Sequence, residues 1–157
     1  MGGNHIILII ASIVLTAVLV VNSTKQISSS SERTAEAGNI TTAVSLGQKL
    51  IKEISSKSFD ENCITGIPSD SNGFSSLLKP DGNEVYNTFD DIDDFNNYQT
   101  NTITNLGTFN LRASVDYVLS TNLNYKYLSK TRTKRVCVKV SSQTLIDTLK
   151  LYYYSTY

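Results

Sequence analysis

Hydrophobic positions fall into three regimes along this chain. From Ile6 to Val21 they are nearly continuous, with Ser12 and Thr16 the only polar entries. A helix that is apolar on every side must be buried on every side. The run is slightly shorter than the roughly 20 residues of a spanning helix. No Lys or Arg precedes it, and Val20-Val21-Asn22-Ser23 is not a small-residue cleavage site. A simple cleaved signal peptide is therefore not expected.

Residues 22–34 are mostly polar and rich in Ser, and then a second regime begins. Ile40, Ala43, Val44, Gly47, Leu50, Ile51 and Ile54 recur at helical spacing and mark one face of an amphipathic helix. Proline is absent before Pro68, so one long helix or two collinear ones are expected up to residue 57. The expected organisation is an apolar helix over 1–25, its amphipathic continuation over 26–57, and a globular β-sheet domain over 58–157. Residues 58–105 read as a variable loop within that last domain, because Pro68, Gly73, Pro80 and Gly82 punctuate its first part.

The third regime has period two. Phe109, Leu111, Ala113, Val115, Tyr117 and Leu119 alternate with polar residues, as do Val136, Val138 and Val140, and then Leu149, Leu151 and Tyr153. Strands this close in sequence pair antiparallel. The fold class is α+β: a long N-terminal helix, apolar in its first half, packed on a C-terminal antiparallel sheet.

Charge changes the picture only locally. The chain has 14 basic and 14 acidic residues and a formal net charge of zero, so nucleic acid is not an expected partner. Acidic residues concentrate between Asp81 and Asp94. Basic ones concentrate between Lys126 and Lys139, where Lys126, Lys130, Arg132, Lys134 and Arg135 form a candidate patch for contact between subunits. Asp90, Asp91, Asp93 and Asp94 could supply oxygens to Ca²⁺, although they lack the spacing of a dedicated calcium loop. No other cofactor is expected. Phe89, Ile92 and Phe95 are expected to pin this acidic turn to the core. The two cysteines, Cys63 and Cys137, are too far apart for a CxxC site, and a disulfide is the expected use in an exported chain. The single histidine, His5, stands at the entrance of the apolar helix, away from any Ser and carboxylate pair, and no Gly-rich phosphate loop follows a strand. The chain is not expected to be an enzyme.

Three stretches are more specific. Ser45–Glu61 ("SLGQKLIKEISSKSFDE"), Phe89–Tyr98 ("FDDIDDFNNY") and Lys134–Ser142 ("KRVCVKVSS") occur in the order and spacing of a pilin helix exit, its acidic turn and the following strand. In these the chain resembles the type IV pilin and pseudopilin superfamily, and within it pilin-like proteins of the mannose-sensitive-haemagglutinin type. The N-terminus departs from that pattern: its first acidic residue is Glu32, processing at Gly3 would put Leu8 where the family carries a glutamate, and counting from Met1 the residue there is His5. The resemblance implies a structural subunit of an extracellular filament at a bacterial cell surface, with a role in adhesion. The subunit would be held in the inner membrane before assembly, then polymerised by pilus assembly machinery into a helical homopolymer of identical subunits. His5, Ile6, Ile9, Ile13, Ala17 and Val20 are the expected assembly stripe on the core helix. The alternatives are a monomeric membrane-anchored surface-binding module and a pseudopilin of a secretion machine.

Overall fold

The computed structural model describes residues 3–82 and 84–157, apart from the side chains of Asn4 and Thr65. A single helix, α1, spans Gly3–Ser55. It is followed by the short helix α2 (Glu61–Thr65) and by five strands: β1 (Gln99–Thr104), β2 (Gly107–Leu119), β3 (Asn122–Lys126), β4 (Thr133–Ser142) and β5 (Leu149–Thr156). The strands form one antiparallel sheet in the order β1-β2-β4-β5, with β3 paired to the end of β2. The fold is α+β. Two compact units divide the chain, one up to Gly38 and one from Asn39 to Tyr157.

In the second unit the last turns of α1 lie on the sheet. Ala43, Leu50 and Ile54 are buried there with Leu111, Ala113, Val115, Val136, Val138 and Val140. Val44 and Ile51 are half-buried, and Ile40 is 45 % exposed, so the buried face begins at Ala43. Leu46, outside the expected face, also packs on this core. Gly47 marks a close approach: a Cβ there would stand 2.3 Å from Leu151 Cδ1 and 3.2 Å from Val140 Cγ2.

Register sorts the sheet into two faces. Phe109, Leu111, Ala113, Val115 and Tyr117 pair with Ser142, Val140, Val138, Val136 and Lys134, and these pairs turn toward the core. The acidic turn is pinned as expected, with Phe89, Ile92 and Phe95 buried and Phe89, Phe95, Tyr98 and Tyr86 in mutual ring contact. Strand β1 lies inside the stretch read as variable loop.

The expected Cys63–Cys137 disulfide is not formed, and both thiols are free. The reason is the phase of β4. Lys134, Val136 and Val138 face the core, so Cys137 points to the opposite face, between Ser114 and Tyr152 in register. Cys63 packs with Phe59, Phe74 and Tyr117 on the Lys134 side. The sheet stands between the two sulfurs.

Candidate functional site

Two features carry the chemistry: the surface of the first unit and a charged node buried in the second. From Ile6 to Val21 the large apolar side chains of α1 are all exposed, between 51 % at Val18 and 66 % at Leu8. The helix is long and apolar enough to cross a membrane. Its hydroxyls are turned inward: Ser12 donates to the Ile9 carbonyl at 2.8 Å, Thr16 to Ser12 at 2.8 Å and Thr24 to Val20 at 2.9 Å. The two hydroxyls between Ile6 and Val21, Ser12 and Thr16, then need no outside acceptor, which suits apolar surroundings. The expected stripe of His5, Ile6, Ile9, Ile13, Ala17 and Val20 is exposed throughout. Small Ala11 leaves an apolar hollow between Ile7, Ile10, Val14, Leu15 and Val18, which the expected stripe does not include.

The node is built by residues from three separate stretches, 45–61, 89–98 and 134–142. Asp60 follows α1 and caps α2, accepting from Asn62 N–H at 3.2 Å. Asp93 opens a 3₁₀ turn, Asp93–Phe95, in the acidic segment. Lys134 comes from β4. Its Nζ lies 2.9 Å from Asp60 Oδ2, 2.6 Å from Asp93 Oδ1 and 2.6 Å from the Phe59 carbonyl. Lys134 and Asp60 are wholly buried and Asp93 is 2 % exposed. The Phe59 ring lies 4.4 Å and the Tyr117 ring 5.4 Å from Nζ. Lys134 therefore does not belong to a surface patch; it sits at an inward position of β4, where the Asp60 carboxylate, with the Asp93 carboxyl and the Phe59 carbonyl beside it, offsets the cost of its burial.

The two carboxylates differ. Asp60 accepts from Ser75 N–H at 2.9 Å, Ser75 hydroxyl at 3.0 Å and Tyr117 hydroxyl at 3.3 Å. Burial pushes its carboxyl up, but Lys134 and these backbone donors outweigh burial and hold it below the usual value. Asp93 is close to Lys134 in distance, yet neither of its oxygens has a well-angled hydrogen-bond donor. Burial dominates there, and despite Lys134 the carboxyl is pushed up to about 8. Asp91, buried beside it and near Asp94, is pushed up to about 7.

The four aspartates expected to hold Ca²⁺ do not converge on one point. Asp91 Oδ1 accepts from the Asp93 and Asp94 N–H groups, Asp94 Oδ2 accepts from those of Asp90 and Asp91, and Asp93 turns to Lys134. Among the described residues, the acidic groups close enough to share a cation are two mixed trios, Glu61–Asp81–Asp91 and Glu84–Asp90–Asp94, each with oxygens within 4.8 Å of one another. Burial and neighbouring aspartates push both glutamates up.

The remaining members of the expected basic patch have partners within the chain. Lys126 and Arg135 share Asp116, at 2.8 Å and 3.2 Å. Lys130 donates to the Asn72 carbonyl and Arg132 to that of Ser69. A different row of cations stands on the outer face of the sheet: Arg112, Lys139 and Lys150 are exposed and directly opposite one another on β2, β4 and β5. They are far apart in sequence, and only strand register reveals them.

These features define an α+β protein with an N-terminal helix apolar and long enough to cross a membrane. No family model, curated protein or solved structure matches the chain.

Proposed function

We propose that this chain is a pilin-like structural subunit, held in a membrane by α1 and then polymerised through it into an extracellular filament. The observation that carries the reading is the exposed apolar circumference of α1 from Ile6 to Val21, continuous in one helix with a stretch that packs on a sheet. Each of those side chains is worth roughly 1.5 kcal/mol or more on leaving water. Lipid provides this burial for the free subunit and neighbouring copies provide it in a fibre, so most of that term cancels on assembly. Close packing then has to drive polymerisation, and Ala11, Ser12 and Ala17 are the small residues that permit it. Residues 45–61, 89–98 and 134–142, which resemble pilin-like proteins, support the same reading.

Negative-stain microscopy of material sheared from cells expressing the chain tests it. Fibres containing the chain are expected, and an Ala17→Asp variant should form none, because its charge would be buried without a partner. Recovery only from detergent-extracted membranes, with no fibres, would instead favour a monomeric anchored module. Normal fibres from the Ala17→Asp variant would remove α1 from the filament core.

A further inference from the structure

We propose that the buried node is an autocatalytic cross-linking site, in which the Lys134 amine and the Asp93 carboxyl condense into an intramolecular amide. The structure brings together what this reaction requires. Nζ lies 2.6 Å from Asp93 Oδ1, one covalent bond from the carbon it would attack. Asp60 Oδ2 lies 2.9 Å from the same nitrogen and is the proton acceptor. The site is shielded from water: the buried Phe59 and Tyr117 rings stand over Nζ, Phe74 packs on Phe59, and all three polar participants are buried.

The two acids divide the roles by their surroundings. Asp60 is held as a carboxylate by donors from Ser75, Asn62 and Tyr117. Asp93 has no well-angled donor to its oxygens, and burial favours its neutral form, the one whose carbon is electrophilic. The Lys134 ammonium gives one proton to Asp60, and the free amine attacks Cγ of neutral Asp93. A C–N bond forms and the Cγ–OH bond breaks. The departing hydroxyl takes the second amine proton and leaves as water, and Asp60 ends protonated. Atoms and charge balance with no oxidant, metal or cofactor. Amide formation from an acid and an amine is slow in water. Here the reactants are held together, and well-oriented intramolecular pairs reach effective molarities of about 10⁵–10⁸ M. Exclusion of water also opposes the reverse hydrolysis, and the product replaces a buried ammonium and a buried carboxylate with neutral groups. Proton acceptors placed like Asp60 contribute about 10²–10⁴-fold.

Mass spectrometry of the full chain, purified in detergent and then denatured, tests the proposal. The chain should be one water lighter than its sequence, and tryptic digestion should yield a branched peptide joining Lys134 to Asp93, with no cleavage after Lys134. Lys134→Arg should restore the full mass, and Asp60→Ala should slow the loss of water at least 100-fold. A wild-type chain at full mass would overturn the proposal, leaving only an ion pair. So would a water loss that persists in Lys134→Arg, which would point to the Asp81-Gly82 step instead. A branch from Lys134 to Asp60 would overturn the choice of acceptor. The branched peptide is read from the wild-type chain, so the test stands even where a variant misfolds.

Discussion

Gly47→Ala tests the closest approach of α1 to the sheet. Away from tertiary contacts, replacing a helical Gly by Ala stabilises by about 1 kcal/mol. At Gly47 the new methyl would stand 2.3 Å from Leu151 Cδ1 and 3.2 Å from Val140 Cγ2. Leu151 is half-buried and can turn outward, whereas Val140 is fully buried and stiff at its branched Cβ. Overpacking of this kind costs about 1–3 kcal/mol. The net expectation is a destabilisation of up to about 2 kcal/mol. Gly38→Ala is the control, because a Cβ there meets nothing within 4 Å, and it should stabilise its helix by up to about 1 kcal/mol. Urea titrations in a mild non-ionic detergent, followed by tyrosine near-ultraviolet circular dichroism, provide the comparison in a chain without tryptophan. Adding Leu151→Ala should relieve the clash, giving a coupling of about 1 kcal/mol or more in a double-mutant cycle. If Gly47→Ala stabilises as Gly38→Ala does, and its effect adds to that of Leu151→Ala, the close approach is wrong.

The pH dependence of stability follows from the buried acids. Asp91 rises from an ordinary 3.8 to about 7 in the folded chain. Between those values the native state keeps a proton that the unfolded chain has released, so stability falls as pH rises, by up to about 1.4 kcal/mol per unit. Asp93, wherever it remains a free acid, carries the same sign on to about 8. Asp60 has the opposite sign, and its contribution is lost as pH falls below its ordinary value of 3.8. Urea midpoints that climb from pH 5 to pH 8 would contradict these assignments. For the cysteines, reductant should leave the mass of the chain unchanged, and both thiols should be alkylated once the chain is unfolded. In the native protein Cys63, the more exposed, should react before Cys137, and a shift of two hydrogens on reduction would restore the bridge.

The fold was legible wherever burial had a period. Phe109 to Tyr117 alternates with polar residues, and its odd positions are the buried ones. Strand β1 reads Gln-Thr-Asn-Thr-Ile-Thr and has no alternation, because its inward positions are threonines half-covered at a sheet edge. Composition placed it in a loop, and pairing with β2 makes it a strand. The node has a signal in the phase of β4. Lys134 is in phase with Val136, Val138 and Val140, so a cation was due on the core face and needed buried carboxylates. The same phase puts Cys137 on the other face, which argues against the disulfide. Which acids would reach Lys134 was not legible, since Asp60 and Asp93 arrive from two irregular segments. The extent of the apolar helix was plain from its residues, because nothing polar interrupts it for long.

The exit of α1 has a mechanical consequence. Ser58 forms a parallel bridge to the acidic turn, donating its N–H to the Asp90 carbonyl at 3.0 Å and accepting from Ile92 N–H at 3.0 Å. Lys57 adds a bond to the Phe89 carbonyl. A tension that runs along the backbone out of α1 therefore meets the acidic turn at Ser58, and Asp60 and Asp93 both carry it on to Lys134 in β4, beside the packing of Ile54 on the sheet. The bonds at Ser58 share that load, so the chain resists extension at a short shackle, and its lifetime under force is set by the rate at which the shackle opens.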